Sequence, residues 1–392
     1  MPTPSIVYSS FDNFPSPKGA ATHIAAFAEA LGAAYHNVDL VTLPGREGVE
    51  LPDLPGVRLH ALPAIGENVI TRAMAFRAEL AHWWNRRHVS VIHVRSIFEG
   101  YPLAQRKRVL CDWFVYEVNG LPSIELKYHY PKVNEDDILL RKLRHQEQVC
   151  LEAADLVITV SEVNASHLRS RGVSRDKIRV IPNGVDTSLF QWQEPKPLEN
   201  RSLRVLYTGT MTRWQGVHLA IEAVHLLRRD HPAELVLAGP CRPHERKALY
   251  RTIDRFEMAP HVKLLGPLTQ CGVLELLHTC DAVLAPLPPN DRNLEQGCCP
   301  LKVIEAMAAG TPLIASDLPV VSSLVEPERE ALLVRPGSAK AIKDGLLRLR
   351  EDSRLGPRLS RAARARAERD FTWQRATRTL LESYRDLLES NN

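Results

Sequence analysis

The sequence predicts an α/β protein made of two doubly wound domains in tandem. Short apolar runs alternate with longer amphipathic stretches, which is typical of a mostly parallel sheet with helices on both faces. The alternation stops at a polar stretch, 191–202, that contains Pro195 and Pro197, and then it restarts. A chain of 392 residues is also long enough for two domains, each with its own core.

The first half of the chain carries the first alternating pattern. Each apolar run predicts a buried strand, and each amphipathic stretch predicts a helix that covers the sheet. We expect strands at 5–8, 38–43, 57–62, 89–94, 156–160 and 178–181, and helices at 22–31 and 139–154. The sequence Asn-Gly-Val-Asp at 183–186 then breaks the pattern, which places the domain boundary near residue 190.

The second half repeats the alternation. We expect strands at 203–208, 234–238, 262–265, 282–285 and 313–315, and a helix at 218–229. The tail has apolar residues spaced along one helix face, namely Leu380, Leu381, Tyr384, Leu387 and Leu388. The predicted organisation is a first domain at 1–190, a second domain at 191–370 and a terminal helix at 371–392.

The composition is that of a globular protein, with 44% hydrophobic and 24% charged residues. A net charge of +4 is too small for this length to indicate a nucleic-acid-binding protein. Seven cysteines without metal-type spacing favour reduced thiols in the cytoplasm and no metal site. We expect no signal peptide at the first residues, and no apolar run approaches the ~20 residues that cross a bilayer, so membrane contact is expected to be peripheral at most.

The segment 297–310 is the most informative part of the chain. Pro300 suits the first turn of a helix, and Gly310 suits the left-handed position after its last turn. The amides at such a helix start bind phosphate or sugar oxygens. Glu305 follows inside the helix, where a carboxylate accepts hydrogen bonds from vicinal hydroxyls such as those of a ribose. The alternative is a capped strand–helix unit with one exposed glutamate.

Short motifs occur in a defined order over nearly the whole chain. They are Ala-Asp-Leu-Val-Ile-Thr-Val-Ser at 154–161, Pro-Asn-Gly-Val-Asp at 182–186 followed by Phe190, the stretches 207–217, 262–266, 280–286 and 297–312, and Phe-Thr-Trp at 371–373. In order and spacing they resemble the GT-B glycosyltransferases, specifically the large family-four group of retaining enzymes. The resemblance implies two Rossmann-like domains facing across a cleft, with a C-terminal helix that crosses back to the first domain.

The same resemblance implies a retaining glycosyltransferase that moves a sugar from a nucleoside diphosphate sugar to an acceptor hydroxyl, without a cofactor. The donor would bind mainly to the second domain and the acceptor to the first. By this match Glu305 holds the donor ribose, and 265–268 borders the base. The donor sugar and phosphate would be held by the amides of the segment Cys298 to Leu301, which includes Cys299 and Pro300. The base, the sugar and the acceptor stay open, and the acceptor is a saccharide, a lipid-linked molecule or another small molecule.

Two of the family's functional side chains are replaced in this sequence. Gly297 stands where the family has the first acid of a paired-Glu motif, so either Glu295 or, as we favour, the backbone serves the donor sugar. Asn119 lies in the first-domain stretch where the family often has a histidine beside the donor sugar. We therefore assign Asn119 to the catalytic site, where an amide can hydrogen-bond a sugar hydroxyl but cannot carry a proton.

The basic pair that many members use for the donor diphosphate is also altered. Thr210 and Gln215 occupy the positions of the usual Arg and Lys. Because the leaving diphosphate needs positive charge, Arg213 and Lys302 are expected to supply it, with Arg242 a weaker candidate. The alternative for each of these cations is a solvated surface position.

The loop 10–23 corresponds to the family's glycine pair, which approaches the donor phosphates and the acceptor. Only Gly19 is retained, and close backbone approach requires glycine. Lys18 and His23 are expected to contact the acceptor, while the alternative for His23 is a structural histidine at the start of a helix. The acceptor pocket is expected to be bordered by 69–76, 98–101 and 124–130.

Two further functions stay open. The first is another enzyme of the same fold, either a sugar-nucleotide epimerase or a phosphorylase with a lysine-bound pyridoxal, which normally needs a longer chain. The second is a non-catalytic partner that binds a sugar nucleotide without turnover, favoured by the altered acidic and basic positions. A dinucleotide-dependent dehydrogenase is disfavoured because neither domain has a Gly-x-Gly-x-x-Gly motif after its first strand.

Overall fold

The computed structural model divides the chain into two α/β units. It describes residues 3–46, 48–84, 87–130, 133, 137–196, 198 and 201–390. The first unit runs to Pro182 and also includes Glu295–Cys298 and the segment that begins at Gln374. The second unit comprises Asn183–Leu294 and Cys299–Trp373. Pro197 of the predicted linker and both chain ends of the predicted domains lie outside the described residues.

The first unit is built on a seven-stranded parallel sheet. Its strands are β1 Ile6–Asn13, β2 Val38–Leu43, β3 Val57–Ala61, β4 Val89–Val94, β5 Cys111–Val118, β6 Leu156–Thr159 and β7 Ile178–Val180. They lie in the order β3-β2-β1-β4-β5-β6-β7. The order reverses between β1 and β4, where Ile6 pairs with both Val38 and Val91. In doubly wound sheets, ligands bind at the carboxyl ends of the strands beside such a reversal.

Helices cover both faces of this sheet, as the alternation of elements requires. They are α1 Gly19–Tyr35, α2 Val69–Trp84, α3 Ile97–Ala104, α4 Lys107–Leu110, α5 Pro122–His129, α6 Asp137–Ala153 and α7 Glu162–Ser170. Fully buried Ile92, Phe114 and Tyr116 lie in the core between these layers.

The second unit repeats the architecture with six parallel strands. They are β8 Leu203–Thr208, β9 Ala233–Ala238, β10 Val262–Leu265, β11 Ala282–Ala285, β12 Leu313–Ser316 and β13 Leu332–Val334, in the order β10-β9-β8-β11-β12-β13. Its helices are α8 Val217–Leu227, α9 Pro243–Arg255, α10 Gln270–Thr279, α11 Leu301–Ala309, α12 Pro319–Ser322, α13 Ala339–Glu351 and α14 Leu355–Asp370. The strand order reverses between β8 and β11.

The last helix, α15 Trp373–Glu389, belongs almost entirely to the first unit. Its apolar face is the one that the sequence spacing predicts, because Leu380, Tyr384 and Leu387 are buried. Leu381 and Leu388 flank this face and are half-buried. Among the described residues, the helices are all too short or too polar to cross a membrane.

The predicted α/β class is confirmed, and several strands match residue for residue, namely β2, β4, β8, β10 and β11. The sequence pattern does not predict β5 or β13. Strand β5 includes Asp112 and Glu117 within an otherwise apolar run, which interrupts the apolar signal on which the prediction depends.

Candidate functional site

The start of α11 lies in the second unit, after β11 at the reversal of the sheet. Pro300 takes the N-cap position in an extended conformation, and the helix begins at Leu301. The helix ends at Gly310, whose φ of 89° is the left-handed conformation expected there. The predicted helix with a proline at its entry and a glycine after its last turn is therefore confirmed. The amides of its first turn point toward the N-terminal end of the helix, where helices in general can bind anions.

Glu305 is the single acidic side chain on α11, whose other residues are apolar or small except for Lys302. It is half-buried. Burial raises the pKa of Glu305 to about 7, and the positive charge of Lys302 opposes this rise only in part. A carboxylate with so little compensation from the protein gains most from hydrogen-bond donors that a ligand brings.

Lys302 lies one turn before Glu305, and its ammonium contacts the end of β8. The Nζ atom is 4.3 Å from the centre of the Tyr207 ring, a cation–π distance. Gly209 follows β8 with a φ of 121°, and a Cβ built on it would lie 3.1 Å from Nζ of Lys302. The ammonium is therefore packed against the loop in which the family has its usual basic pair.

The two replaced positions of that loop lie in ordinary loop and turn structure. The carbonyl of Thr210 accepts a hydrogen bond of 2.8 Å from the Tyr207 hydroxyl. Gln215 ends a 3-10 turn, Arg213–Gln215, whose first residue is exposed to solvent. Arg242 is the half-buried N-cap residue of α9. Of the three candidate cations, Lys302 contacts the end of β8, beside which the strand order reverses, whereas Arg213 is exposed to solvent.

Position 297 explains why the first acid of the paired-Glu motif is absent. Gly297 has a φ of 84°, and a Cβ there would lie 2.5 Å from the backbone nitrogen of Asn164. A glutamate would be strained by the backbone conformation and would also collide with the start of α7. The neighbouring Gln296 is buried, where it accepts from the Leu121 amide (3.0 Å) and donates to Glu125 (2.8 Å), whereas Glu295 is exposed.

Cys298 and Cys299 are buried, and Pro300 and Leu301 are half-buried. The carbonyl of Cys299 accepts a hydrogen bond of 2.8 Å from the Asn183 side chain. This bond joins two residues of the second unit, Cys299 shortly before α11 and Asn183 of the Pro-Asn-Gly-Val-Asp motif.

In the first unit, Asn119 directly follows β5 and is half-buried. Its side-chain nitrogen donates a short hydrogen bond to Oε1 of Glu117. Glu117 is fully buried near the carboxyl end of β5. It also accepts from the Tyr8 hydroxyl at 3.0 Å and from Nε of Arg95 at 2.9 Å.

Two histidines complete the surroundings of Glu117. Nε2 of His23 lies 2.9 Å from Oε1 of Glu117, and Nε2 of His93 lies 3.2 Å from Oε2. Burial alone would raise the pKa of Glu117, but His23 and Arg95 outweigh it and hold the pKa well below its usual range. Glu117 is therefore an ionised carboxylate inside the unit.

The other first-unit candidates divide between surface and interior. Lys18 is the exposed N-cap residue of α1, and Gly19 is the exposed first residue of that helix. His23 lies one turn further and is buried, with its ring against Glu117. The structure thus brings His23 and Asn119 together on one carboxylate.

Sequence reasoning missed Glu117, Arg95 and Asp12. Nη1 of Arg95 is 3.0 Å from the partly exposed carboxylate of Asp12, which extends the charged group to the end of β1. A glutamate inside an apolar strand was the available signal. The predicted pocket borders 69–76 and 98–101 meet at Phe11, whose ring centre lies 5.5 Å from that of Phe76 and 5.1 Å from that of Phe98. The stretch 124–130 lies in and after α5.

Among the described residues, no group of three histidine, cysteine or acidic side chains is arranged to hold a metal ion. Two doubly wound parallel sheets in tandem, each with a reversal of strand order, are the architecture of the GT-B class.

Two family models match the chain, Glycosyltransferase Family 4 over residues 17–189 and Glycosyl transferases group 1 over residues 202–352. The chain therefore belongs to this group of glycosyltransferases. A glycogen synthase of Mycobacterium tuberculosis is 27% identical over 63% of this chain and 58% of its own length. The chain thus spans less than two thirds of that relative.

Solved structures show the same fold. A sucrose-phosphate synthase from Thermosynechococcus elongatus superposes with a TM-score of 0.79 at 22% identity, covering 98% of this chain and 100% of that one. Anabaena HepE in complex with UDP-glucose superposes with a TM-score of 0.74 at 18% identity, over 98% and 100% of the two chains.

Proposed function

We propose that this glycosyltransferase transfers a sugar, with retention of configuration, from a nucleoside diphosphate sugar to an acceptor hydroxyl. The observation that carries the proposal is the start of α11, where Glu305 and Lys302 lie one turn apart and Lys302 packs against Gly209. A ribose brings two hydroxyl donors to Glu305, and a diphosphate brings negative charge to Lys302 and the helix amides. The UDP-glucose bound by Anabaena HepE, a protein of the same fold, supports a donor of this class.

In this proposal Lys302 replaces the missing basic pair at 210 and 215. A cation in contact with the end of β8 stabilises the charge that develops on the leaving diphosphate without being drawn from solvent. Arg213, which is exposed, contributes by longer-range attraction that water and salt weaken. The amides of Cys298 to Leu301 and the turn at Gly297 take the place of the first acid at the donor sugar, except at Pro300, which has no N–H.

We propose retention because the motifs of the chain resemble those of the retaining family-four enzymes, whose family models match it. The surroundings of Glu117 bear on how retention is achieved. Double displacement needs a carboxylate that can reach the anomeric carbon, but Glu117 is enclosed by Tyr8, Arg95 and two histidines. We therefore propose attack from the face of the leaving group. The acceptor oxygen bonds to the anomeric carbon, the bond from that carbon to the phosphate oxygen breaks, and this oxygen takes the acceptor proton.

The first unit is proposed to bind the acceptor. Asn119 would hydrogen-bond a hydroxyl of the transferred sugar, while Lys18 and Gly19, both exposed at the start of α1, would contact the acceptor. His23 is buried on Glu117, so its proposed influence on the acceptor passes through that carboxylate.

A second function is favoured by one observation, the backbone at Gly297 that admits no glutamate. A chain that lost an acid of the paired motif could bind a sugar nucleotide without turnover. Release of nucleoside diphosphate from the donor, with and without acceptor, distinguishes this partner protein from an enzyme.

The proposed function is tested by thermal stabilisation with a panel containing UDP-glucose, UDP-galactose, ADP-glucose and GDP-mannose. We expect one of these compounds to raise the melting temperature, because a ligand that binds the folded state stabilises it by mass action. Proton NMR of the glycoside formed from that donor, which is an α-linked sugar in each case, should show an α-anomer. A β-anomer would contradict retention, and the absence of stabilisation by every member would contradict the donor class.

A further inference from the structure

The first unit contains a cluster of polar side chains, all buried except Asn119, and Asn119 is the one member that the proposed reaction uses directly. We call it the Glu117 cluster; its members are Tyr8, His23, His93, Arg95, Glu117, Asn119 and Tyr384. These residues come from β1, α1, β4 and its end, β5 and its end, and α15. Because side chains from five elements surround one carboxylate, a side chain that bonds to this carboxylate is held in a defined position at the edge of the sheet.

Asn119 is the member of the cluster that lies nearest the surface. Its side-chain nitrogen donates to Glu117, which leaves its carbonyl oxygen and one N–H to interact with a ligand. Because Glu117 is itself held by Tyr8 and Arg95, the amide of Asn119 is held in one orientation rather than rotating freely.

The cluster also reaches the terminal helix. The Tyr384 hydroxyl lies 2.8 Å from Nδ1 of His93, whose Nε2 faces Glu117. Burial lowers the pKa of His93 despite the nearby carboxylate, so its imidazole is neutral and has one N–H. A proton on the nitrogen that faces the ionised Glu117 is electrostatically favoured, which assigns the N–H to Nε2 and makes Nδ1 the acceptor of the Tyr384 O–H. Contacts therefore run from α15 to Asn119 through a hydrogen bond between Tyr384 and His93, a close charge contact of 3.2 Å between His93 and Glu117, and a hydrogen bond between Glu117 and Asn119.

We propose that Glu117 is a positioning residue that orients Asn119 toward the transferred sugar, and that Tyr384 of α15 fixes Glu117 through His93. This inference rests on the proposed function, since it gives Asn119 a sugar hydroxyl to bind. It assigns to the terminal helix a role in turnover in addition to its packing.

The test uses Tyr384→Phe, because replacing Glu117 would remove the buried partner of Arg95, leave it only the partly exposed Asp12, and endanger folding. Phenylalanine keeps the buried ring and removes only the hydroxyl. Tyr35→Phe is the matched control, since the Tyr35 ring lies 6.0 Å from that of Tyr384 and outside the Glu117 cluster. Each change is made in the wild-type chain and in Asn119→Ala.

The first measurement is steady-state release of nucleoside diphosphate from the donor that the panel selects. We expect Tyr384→Phe to lower kcat by about fivefold to tenfold with an unchanged KM for the donor, as for loss of one buried hydrogen bond. Tyr35→Phe should have wild-type kcat. In Asn119→Ala, Tyr384→Phe should cause no further loss, because the two residues act through one chain.

The second measurement is amide hydrogen exchange at residues 119–121, which needs no turnover. Faster exchange in Tyr384→Phe than in Tyr35→Phe supports the positioning role. Exchange and kcat that are the same in both variants, or additive losses of kcat with Asn119→Ala, overturn it. A wild-type chain that neither binds nor cleaves any donor of the panel overturns the proposed function, and with it the assignment of Asn119 to a sugar.

Discussion

The two units have the same architecture, but the pKa values of their candidate-site carboxylates shift in opposite directions. In the first unit Glu117 is fully buried, and His23 and Arg95 more than offset its burial, so its pKa lies well below the usual range. In the second unit Glu305 is half-buried, and its pKa rises to about 7 because the positive charge of Lys302 offsets the effect of burial only in part. Burial penalises both charges, and the number of partners decides the outcome.

This difference separates two roles. A carboxylate whose hydrogen bonds are supplied by its own unit contributes to folding and to the position of its neighbours. A carboxylate that its own unit leaves undercompensated gains when a ligand supplies donors. Glu117 and Glu305 are therefore expected to respond in opposite ways to loss of charge.

The largest expected effect is that of Glu117→Gln on stability. Removing the charge leaves buried Arg95 with only the partly exposed carboxylate of Asp12 as its ion-pair partner, which should lower the free energy of unfolding by about 3–5 kcal/mol. Denaturant unfolding measures this value. Glu305→Gln is the control with the same chemical change in the second unit, and it should leave stability unchanged or raise it. Equal losses in the two variants would remove the contrast between the units.

A large effect on turnover is expected for Lys302→Ala. Loss of a preorganised cation at the leaving group should lower kcat by about 10²–10³-fold, the scale of one lost electrostatic contact in a transition state. Arg213→Ala, which removes an exposed cation of the same unit, should lower kcat by less than about tenfold. Steady-state kinetics with the selected donor compares them. A larger loss of kcat in Arg213→Ala than in Lys302→Ala would place the diphosphate at the 3-10 turn that contains Arg213.

A smaller effect is expected in the pH dependence of stability. The pKa of Glu305 rises from its ordinary value of 4.5 to about 7, so the folded state retains a proton that the unfolded state has lost between these values. The free energy of unfolding should therefore fall by about 1–3 kcal/mol as pH rises through this window.

Glu305→Gln should remove that part of the dependence, because glutamine does not titrate. Unfolding curves at several pH values compare the variant with the wild-type chain. A difference between the two that stays constant across the window would show that Glu305 has an ordinary pKa.

The sequence predicts the local structure around the second unit's candidate site better than that around the first unit's. The α11 segment has its signals in consecutive residues: an apolar strand, Pro300, Glu305 and Gly310. Glu117 depends on partners far away in sequence, such as Tyr8 on β1, 109 positions earlier, and no local pattern records them. The same holds at Gly297, where contact with Asn164 rather than any neighbouring residue excludes a side chain. Local signals predict elements, while side-chain partners across elements require the structure.

The most direct test of the account is calorimetric titration of the nucleoside diphosphate of the selected donor into the wild-type chain, Glu305→Gln and Glu295→Gln. If Glu305 receives the ribose hydroxyls, Glu305→Gln should weaken binding by about 1–3 kcal/mol, or roughly 5-fold to 150-fold in Kd. The exposed Glu295 should tolerate the same change with an unaltered Kd. A Kd for Glu305→Gln equal to that of the wild-type chain would contradict the assignment of the donor to the start of α11.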